Sequence, residues 1–251
     1  WQLHWRAPDL AQGTLVLGDQ FPFSAITDNS LNALLNWNYE EAGKPMAENY
    51  KFFQVSARRN LLIEPTETNQ IIHNNFSGSL DQSIVVYATP STCLKVLTKT
   101  DRELPFLGYD LRQVLHYSNP DQILVEPART VTLQSFMGPE PAHDWCYYYE
   151  KGELAEQQEQ WDKVLELGIE AESLGLSPTV MVEMRPFLFA ALLSNDIPTA
   201  SRWANKMVQE QGNAAYFLRW FETLEPSSLS QEALILLNQL KTDYQKERDL
   251  D

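Results

Sequence analysis

At 251 residues with 43% hydrophobic side chains, the chain is long enough for one large or two modest domains and apolar enough for a real core, which argues against intrinsic disorder. Its 34 acidic against 19 basic residues leave a formal charge of −15, and such a surface repels phosphate backbones and anionic headgroups, so nucleic acid and peripheral membrane binding through a basic patch are both disfavoured as partners. No apolar run of about 18 residues occurs, so the sequence offers no transmembrane helix, and a start at Trp1 without Met or a signal-like segment reads as an excised or processed piece.

The first half alternates strand-like and helix-like stretches. Thr14 to Leu17, followed by Gly18 and Asp19, predicts a short buried strand ending in a turn, and Asp28 to Trp37 predicts a helix capped by Asp28 or Asn29. Phe52 to Ser56, Ile71 to Phe76, Ser83 to Tyr87 and Cys93 to Leu97 are β-branched or aromatic runs between turn-forming clusters. The last two suggest a hairpin, with Pro90 in the turn, where a missing N–H does no harm. From Pro105 to Pro139 only short apolar pieces occur, among them Gln122 to Val125 and Thr130 to Leu133, and irregular structure is expected. Gly138, Pro139 and Pro141 break any helix and set the domain boundary near residue 140.

Beyond that boundary the periodicity changes. Asp144 is placed to cap a helix, and Trp161, Val164, Leu165, Gly168, Ile169 and Ala171 recur at three- and four-residue steps, so the stretch to Pro178 reads as a helical hairpin. Small residues at Gly152, Ala155, Gly168 and Ala171 allow close approach of helix backbones. Sliding the hairpin so that Ile197 falls under Trp161 also places Ala200 under Val164, Ala204 under Gly168 and Met207 under Ala171, a degenerate repeat near the period of about 34 residues of tetratricopeptide-type hairpins. Further helical spacing covers Val180 to Ser194, where Pro186 either kinks the helix or marks its start, then Thr199 to Glu210, Asn213 to Leu224 and Ser230 to Lys246. The expected fold is α+β: a mixed α/β sheet domain over 1–140, then an all-α tetratricopeptide-like domain over 141–251.

Chemistry is harder to find. No Gly-rich phosphate loop, GxSxG elbow or HExxH is present, so no catalytic residue, cofactor-binding residue or metal ligand is assigned and no cofactor is expected. His4, His73, His116 and His143 lie far apart without Cys or Glu at ligand spacing. Asp19, Asp28 and Asp81 sit where Asp turns or caps a chain. Glu150, Glu153, Glu156, Glu159 and Asp162 recur at helical spacing, but no Glu-x-x-His pair accompanies them and they read as a solvated face partly neutralised by Lys151 and Lys163. Asn75-Phe76-Ser77 fits the N-glycosylation pattern, which matters only in a host that modifies it. Cys93 and Cys146 lack metal or redox spacing, which leaves a disulfide or two buried thiols open. In a tetratricopeptide-like hairpin the first helix lines the concave face, so Tyr149, Glu153, Glu156, Arg185 and Phe189 are the candidate interaction groove for a protein or peptide; packing against a third helix is the alternative role for the same residues. Trp5, Trp37, Tyr39 and Tyr50 are candidate sugar-stacking platforms, with core packing as the alternative.

Four stretches together carry a resemblance: WRAPDLAQGTLVLGDQFPF from Trp5, DNSLNALLNW from Asp28, STCLKVL from Ser91 and WCYYYEKGELAEQQEQWDKV from Trp145. Over nearly its whole length the chain resembles the soluble C-terminal region of large multi-spanning bacterial membrane proteins, some of them glycosyltransferase-like. The resemblance implies a place on the extracytoplasmic face of the cytoplasmic membrane, anchored by upstream spans, and a disulfide from Cys93 to Cys146 tying the sheet domain to the first helix. The resemblance carries no established activity; with no catalytic signature and a helical repeat that offers a groove, the expected role is a non-catalytic module that contacts a protein, a peptide or the membrane part of its own chain. The alternative is an accessory portion of a glycosyltransferase-like enzyme that helps bind a carbohydrate or lipid-linked acceptor.

Overall fold

The computed structural model describes residues 1–19, 28–39, 49–62, 70–73, 76–126 and 138–249. Contacts divide the chain into two compact units: Trp1–Pro90 with Leu94–Lys99 and Gly108–Ala142, and Ser91–Cys93 with Thr100–Leu107 and His143–Asp251. The protein is mixed α/β, with a small mixed sheet and several helices. Thr130 to Leu133, Gln20 to Phe23 and the glycosylation position Asn75 lie outside the described residues.

The first unit begins with α1 (Gln2–Arg6), β1 (Asp9–Leu10) and β2 (Leu15–Asp19). All five residues of β2 are buried, as a strand covered on both faces requires, and this is why it reads as a continuous apolar run rather than an alternation. After α2 (Asp28–Tyr39) comes β3 (Lys51–Gln54), parallel to β2 with Leu15 opposite Lys51 and Gly18 opposite Gln54. A 3-10 turn leads into α3 (Arg59–Leu62), and then β4 (Gln70–His73) and β5 (Phe76–Ser79) pair antiparallel. The run expected as one strand from Ile71 to Phe76 is thus shared between two. Next, β6 (Ser83–Tyr87) lies parallel to β2 on its other side, from Leu15 opposite Ser83 to Asp19 opposite Tyr87, and β7 (Lys95–Leu97) returns antiparallel. The central sheet order is β3-β2-β6-β7. The stretch expected to be irregular holds α4 (Tyr109–Val114) and β8 (Ile123–Leu124), the latter paired antiparallel with β1.

Strand β3 is an edge, and an edge exposes backbone groups that need partners. Helix α2 supplies them from one stripe of side chains. Asp28 Oδ1 accepts from the Gln54 N–H at 3.1 Å, Asn32 Oδ1 accepts from the Phe52 N–H, and Asn36 Oδ1 accepts from the Tyr50 N–H at 3.0 Å while its Nδ2 donates to the Tyr50 carbonyl at 2.9 Å. The match is geometric: four helical residues rise about 6 Å and two strand residues about 6.6 Å, so positions 28, 32 and 36 meet 54, 52 and 50 in step.

The second unit is helical. It contains α5 (Trp145–Gln157), whose Asp144 cap accepts from the Tyr147 N–H at 3.3 Å, and α6 (Trp161–Ser173). A 3-10 turn over Met181–Met184 runs into α7 (Arg185–Leu193), so Pro186 falls in the first turn and begins the helix rather than kinking it. The rest is α8 (Ile197–Met207), α9 (Ala214–Phe221) and α10 (Gln231–Arg248). Helix α5 packs on α6, α6 on α7, α7 on α8 and α9 on α10. The glycines of the first two helices seat a ring of the third. A Cβ added at Gly152 would fall 2.9 Å from Phe187, and one at Gly168 would fall 2.7 Å from Phe187 and 2.9 Å from Trp203.

Candidate functional site

The structure brings the five groove candidates together, but inside the helical unit. Tyr149, Glu153, Arg185 and Phe189 are each less than 5% exposed, and Glu156 is little more open. Arg185, at the start of α7, forks onto both oxygens of Glu156 at 2.5 and 2.6 Å and reaches Glu153 Oε1 at 3.2 Å, while its guanidinium lies 3.8 Å from the Trp220 ring centre and 5.6 Å from that of Phe189. Burial alone would lower the Arg185 pKa, but the carboxylates of Glu156 and Glu153 outweigh it and hold the guanidinium well above its ordinary value. Burial and then Glu153 push the Tyr149 hydroxyl well up. These residues form a buried ionic and aromatic cluster between α5, α7 and α9, the packing role, rather than an open concave surface. The acidic row is a solvated face only at its far end, where Glu159 and Asp162 are exposed; Glu150 and Glu153 are buried, Glu153 against Arg185, while Lys163 pairs with Glu166.

Cys93 and Cys146 are joined, with their Cα atoms 5.1 Å apart. The pairing is the one the resemblance implies; Ser91–Cys93 packs with the helical unit, and Cys93 stands two residues before β7. Glu183 fastens the same place, accepting from the Cys93 N–H and from the Trp145 indole N–H, each at 2.8 Å. This is also why β7 starts at Lys95 rather than at Cys93.

In the first unit a cleft of about 510 Å³ opens where the parallel strands end. Asp19, the last residue of β2, and Gln54, the last of β3, line it with Ser56, Arg59, Gly108, Tyr109, Asp110 and Leu111. In open α/β sheets ligands bind outside the carboxyl ends of the strands, where neighbouring strands take their connections in opposite directions. The cleft lies outside the carboxyl ends of β2 and β3, and Asp19 stands on its β2 side. It is 6% exposed, and its two oxygens accept from the Ser56 N–H at 2.9 Å and the Ser56 hydroxyl at 2.8 Å. Burial raises its pKa; the two Ser56 bonds pull it down, and Asp110 and Asp28 push it up again, leaving it above the ordinary carboxylate range. Arg59 meets Asp110 at 3.0 Å, and the Tyr109 ring is 67% exposed at the same place.

A carboxylate is too weak a base to deprotonate an alcohol unaided, so the Ser56–Asp19 pair is a hydrogen-bonded anchor rather than an activated nucleophile. The arrangement is suited to binding. Of the cleft residues only Asp19 stands out in the sequence, as the polar end of an apolar run; Gln54, Ser56, Arg59, Tyr109 and Asp110 carry no spacing that announces them. Of the stacking candidates, Trp5, Tyr39 and Tyr50 are core residues, their polar atoms donating to Glu140 at 2.8 Å, the Ala7 carbonyl at 2.7 Å and the Leu10 carbonyl at 3.1 Å, whereas Trp37 is 52% exposed. Among the described residues no group of three or more His, Cys, Asp or Glu is placed to hold a metal ion, and no helix is long and apolar enough to cross a membrane. No family model matches the chain, and no curated protein or solved structure matches it.

Proposed function

We propose that the chain is a non-catalytic extracytoplasmic domain of a multi-spanning bacterial membrane protein, and that it works by binding a small polar ligand in the cleft at the ends of β2 and β3. The observation that carries this reading is the cleft itself: a cavity outside the carboxyl ends of two parallel strands lined by two carboxylates, a guanidinium, an amide, a hydroxyl and an exposed aromatic ring. Acceptors beside an open ring suit the carbohydrate or lipid-linked acceptor of a glycosyltransferase-like enzyme, so the domain serves as the accessory portion of such an enzyme. The Cys93–Cys146 bond supports the compartment, since disulfides persist where the surroundings are oxidising. Attachment is through membrane spans upstream of the sheet domain, and the helices that follow it are a tetratricopeptide-like repeat.

A second reading, contact with a protein, a peptide or the membrane part of the same chain, is favoured by Ile169 and Leu174 at the end of α6, which are 42% and 59% exposed. Calorimetric titration of the purified chain with a panel of soluble sugars separates the two. Binding that is lost in Gln54→Trp at unchanged melting temperature supports the cleft; sugar binding untouched by that substitution contradicts it.

A further inference from the structure

We propose that the cleft selects a protonated amine, with the Asp19 carboxylate as its counter-ion, an inference that rests on the cleft being the ligand site. Three charged side chains line the cleft, Asp19, Arg59 and Asp110, and the Asp28–Arg58 pair lies outside its lining, with Asp28 close enough to act on Asp19. Asp28, at the start of α2, has its own guanidinium, Arg58 at 3.1 Å, and Asp110, in α4, has Arg59 at 3.0 Å. Asp19 is held differently: its partners among the described residues are the N–H and hydroxyl of Ser56, both neutral. The local sum is therefore one negative charge, and it sits on a buried carboxylate.

Neutral donors satisfy oxygen lone pairs but leave a buried charge uncompensated; a cation restores what desolvation removed. Each Asp19 oxygen accepts one bond from Ser56, which leaves acceptor capacity on both for an ammonium. The groups around it do not offset that charge: Asp28 and Asp110 each act on Asp19 and each has its own guanidinium beside it, so Arg58 and Arg59 are already engaged, and Tyr87, opposite Asp19 in the sheet, adds no cation. The exposed Tyr109 ring offers a face to a cation or to the ring that bears it. A neutral polyol answers only part of this chemistry. An amino sugar and an aminoalkyl phosphate headgroup both carry the required group.

Titration of the purified chain near neutral pH with glucosamine, glucose, N-acetylglucosamine and phosphoethanolamine tests the assignment. The expected result is that glucosamine binds at least tenfold more tightly than the two uncharged sugars, that Asp19→Asn removes this preference while keeping the melting temperature, and that Glu166→Gln on α6 leaves it intact. Phosphoethanolamine competing with glucosamine makes the ammonium itself the determinant, as a lipid headgroup requires; failure to compete places the ammonium on a sugar ring. Glucose binding as tightly as glucosamine overturns the amine and keeps the cleft. Glucosamine binding undiminished in Asp19→Asn also overturns it, and no binding by any of the four overturns both readings.

Discussion

Asn36 holds Tyr50 by both of its backbone polar groups, at 3.0 Å from the N–H and 2.9 Å from the carbonyl. With Asp28 and Asn32 it makes α2 a substitute strand along the free edge of β3. Removing one such partner leaves buried backbone groups unmade, which costs about 1–3 kcal/mol each. Asn36→Leu is expected to lower stability by about 2 kcal/mol or more, because two groups are orphaned, whereas the exposed Asn29→Ala is expected to change it by less than about 0.5 kcal/mol. Urea unfolding of the two variants checks this; equal midpoints contradict it.

Gly168→Ala sets two effects against each other. Alanine gains about 1 kcal/mol of helix propensity over glycine, but its Cβ would lie 2.7 Å from Phe187 and 2.9 Å from Trp203, two buried rings with little room to move. Overpacking of this kind costs about 1–3 kcal/mol, so the net change is expected to be destabilising. A raised melting temperature would show that the rings yield.

The Cys93–Cys146 bond spans 53 residues. On the chain-entropy account a loop of that size contributes about 4 kcal/mol through the unfolded state. Reduction, or the double substitution Cys93→Ala with Cys146→Ala, is expected to move the unfolding midpoint down accordingly. Alkylation of denatured, unreduced protein is expected to label no thiol; two labelled thiols per chain would remove the main support for an oxidising compartment.

Acid stability has a definite sign at Glu172. The hydrogen bond from Arg202 first, then the ammonium of Lys206, at 2.7 Å, brings its pKa down to about 2 from an ordinary 4.5. A depressed carboxylate contributes stability that is fully present above the unfolded value and is lost as pH falls from 4.5 through about 2. Glu172→Gln is therefore expected to be less stable than the wild type at pH 7, with the gap closing near pH 2. Asp19 has the opposite sign: its carboxyl is raised, so its charge weakens the fold above its ordinary pKa of 3.8, and Asp19→Asn is expected to hold or gain stability at pH 7. Thermal melts across pH check both.

Local features were legible in the sequence because their causes are local. The Asp144 cap and the return of β6 into β7 follow from side chains acting on their own neighbourhood, while Pro186 left open a kink or a start and the structure makes it the start of α7. Features made by distant partners were not. That β2 lies between two parallel neighbours depends on pairings across tens of residues, and nothing in its buried run selects β3 and β6. Glu153 looks solvent-facing until Arg185 arrives from another helix. The cleft is the clearest case, because Gln54, Ser56, Arg59 and Asp110 have no common spacing and meet only where strand ends and short helices converge. One long-range signal did stand in the sequence: polar residues at 28, 32 and 36, which mark the helix face that covers an edge strand.

The most direct test of the account is to map bound glucosamine on the protein by backbone amide chemical-shift changes. The account predicts shifts concentrated at Gln54, Ser56, Arg59 and Tyr109 to Leu111, saturating together and absent in Asp19→Asn. Shifts centred instead on the helical unit, around Glu159 to Lys163 and Ser194, would contradict it and place the ligand site away from the strand ends.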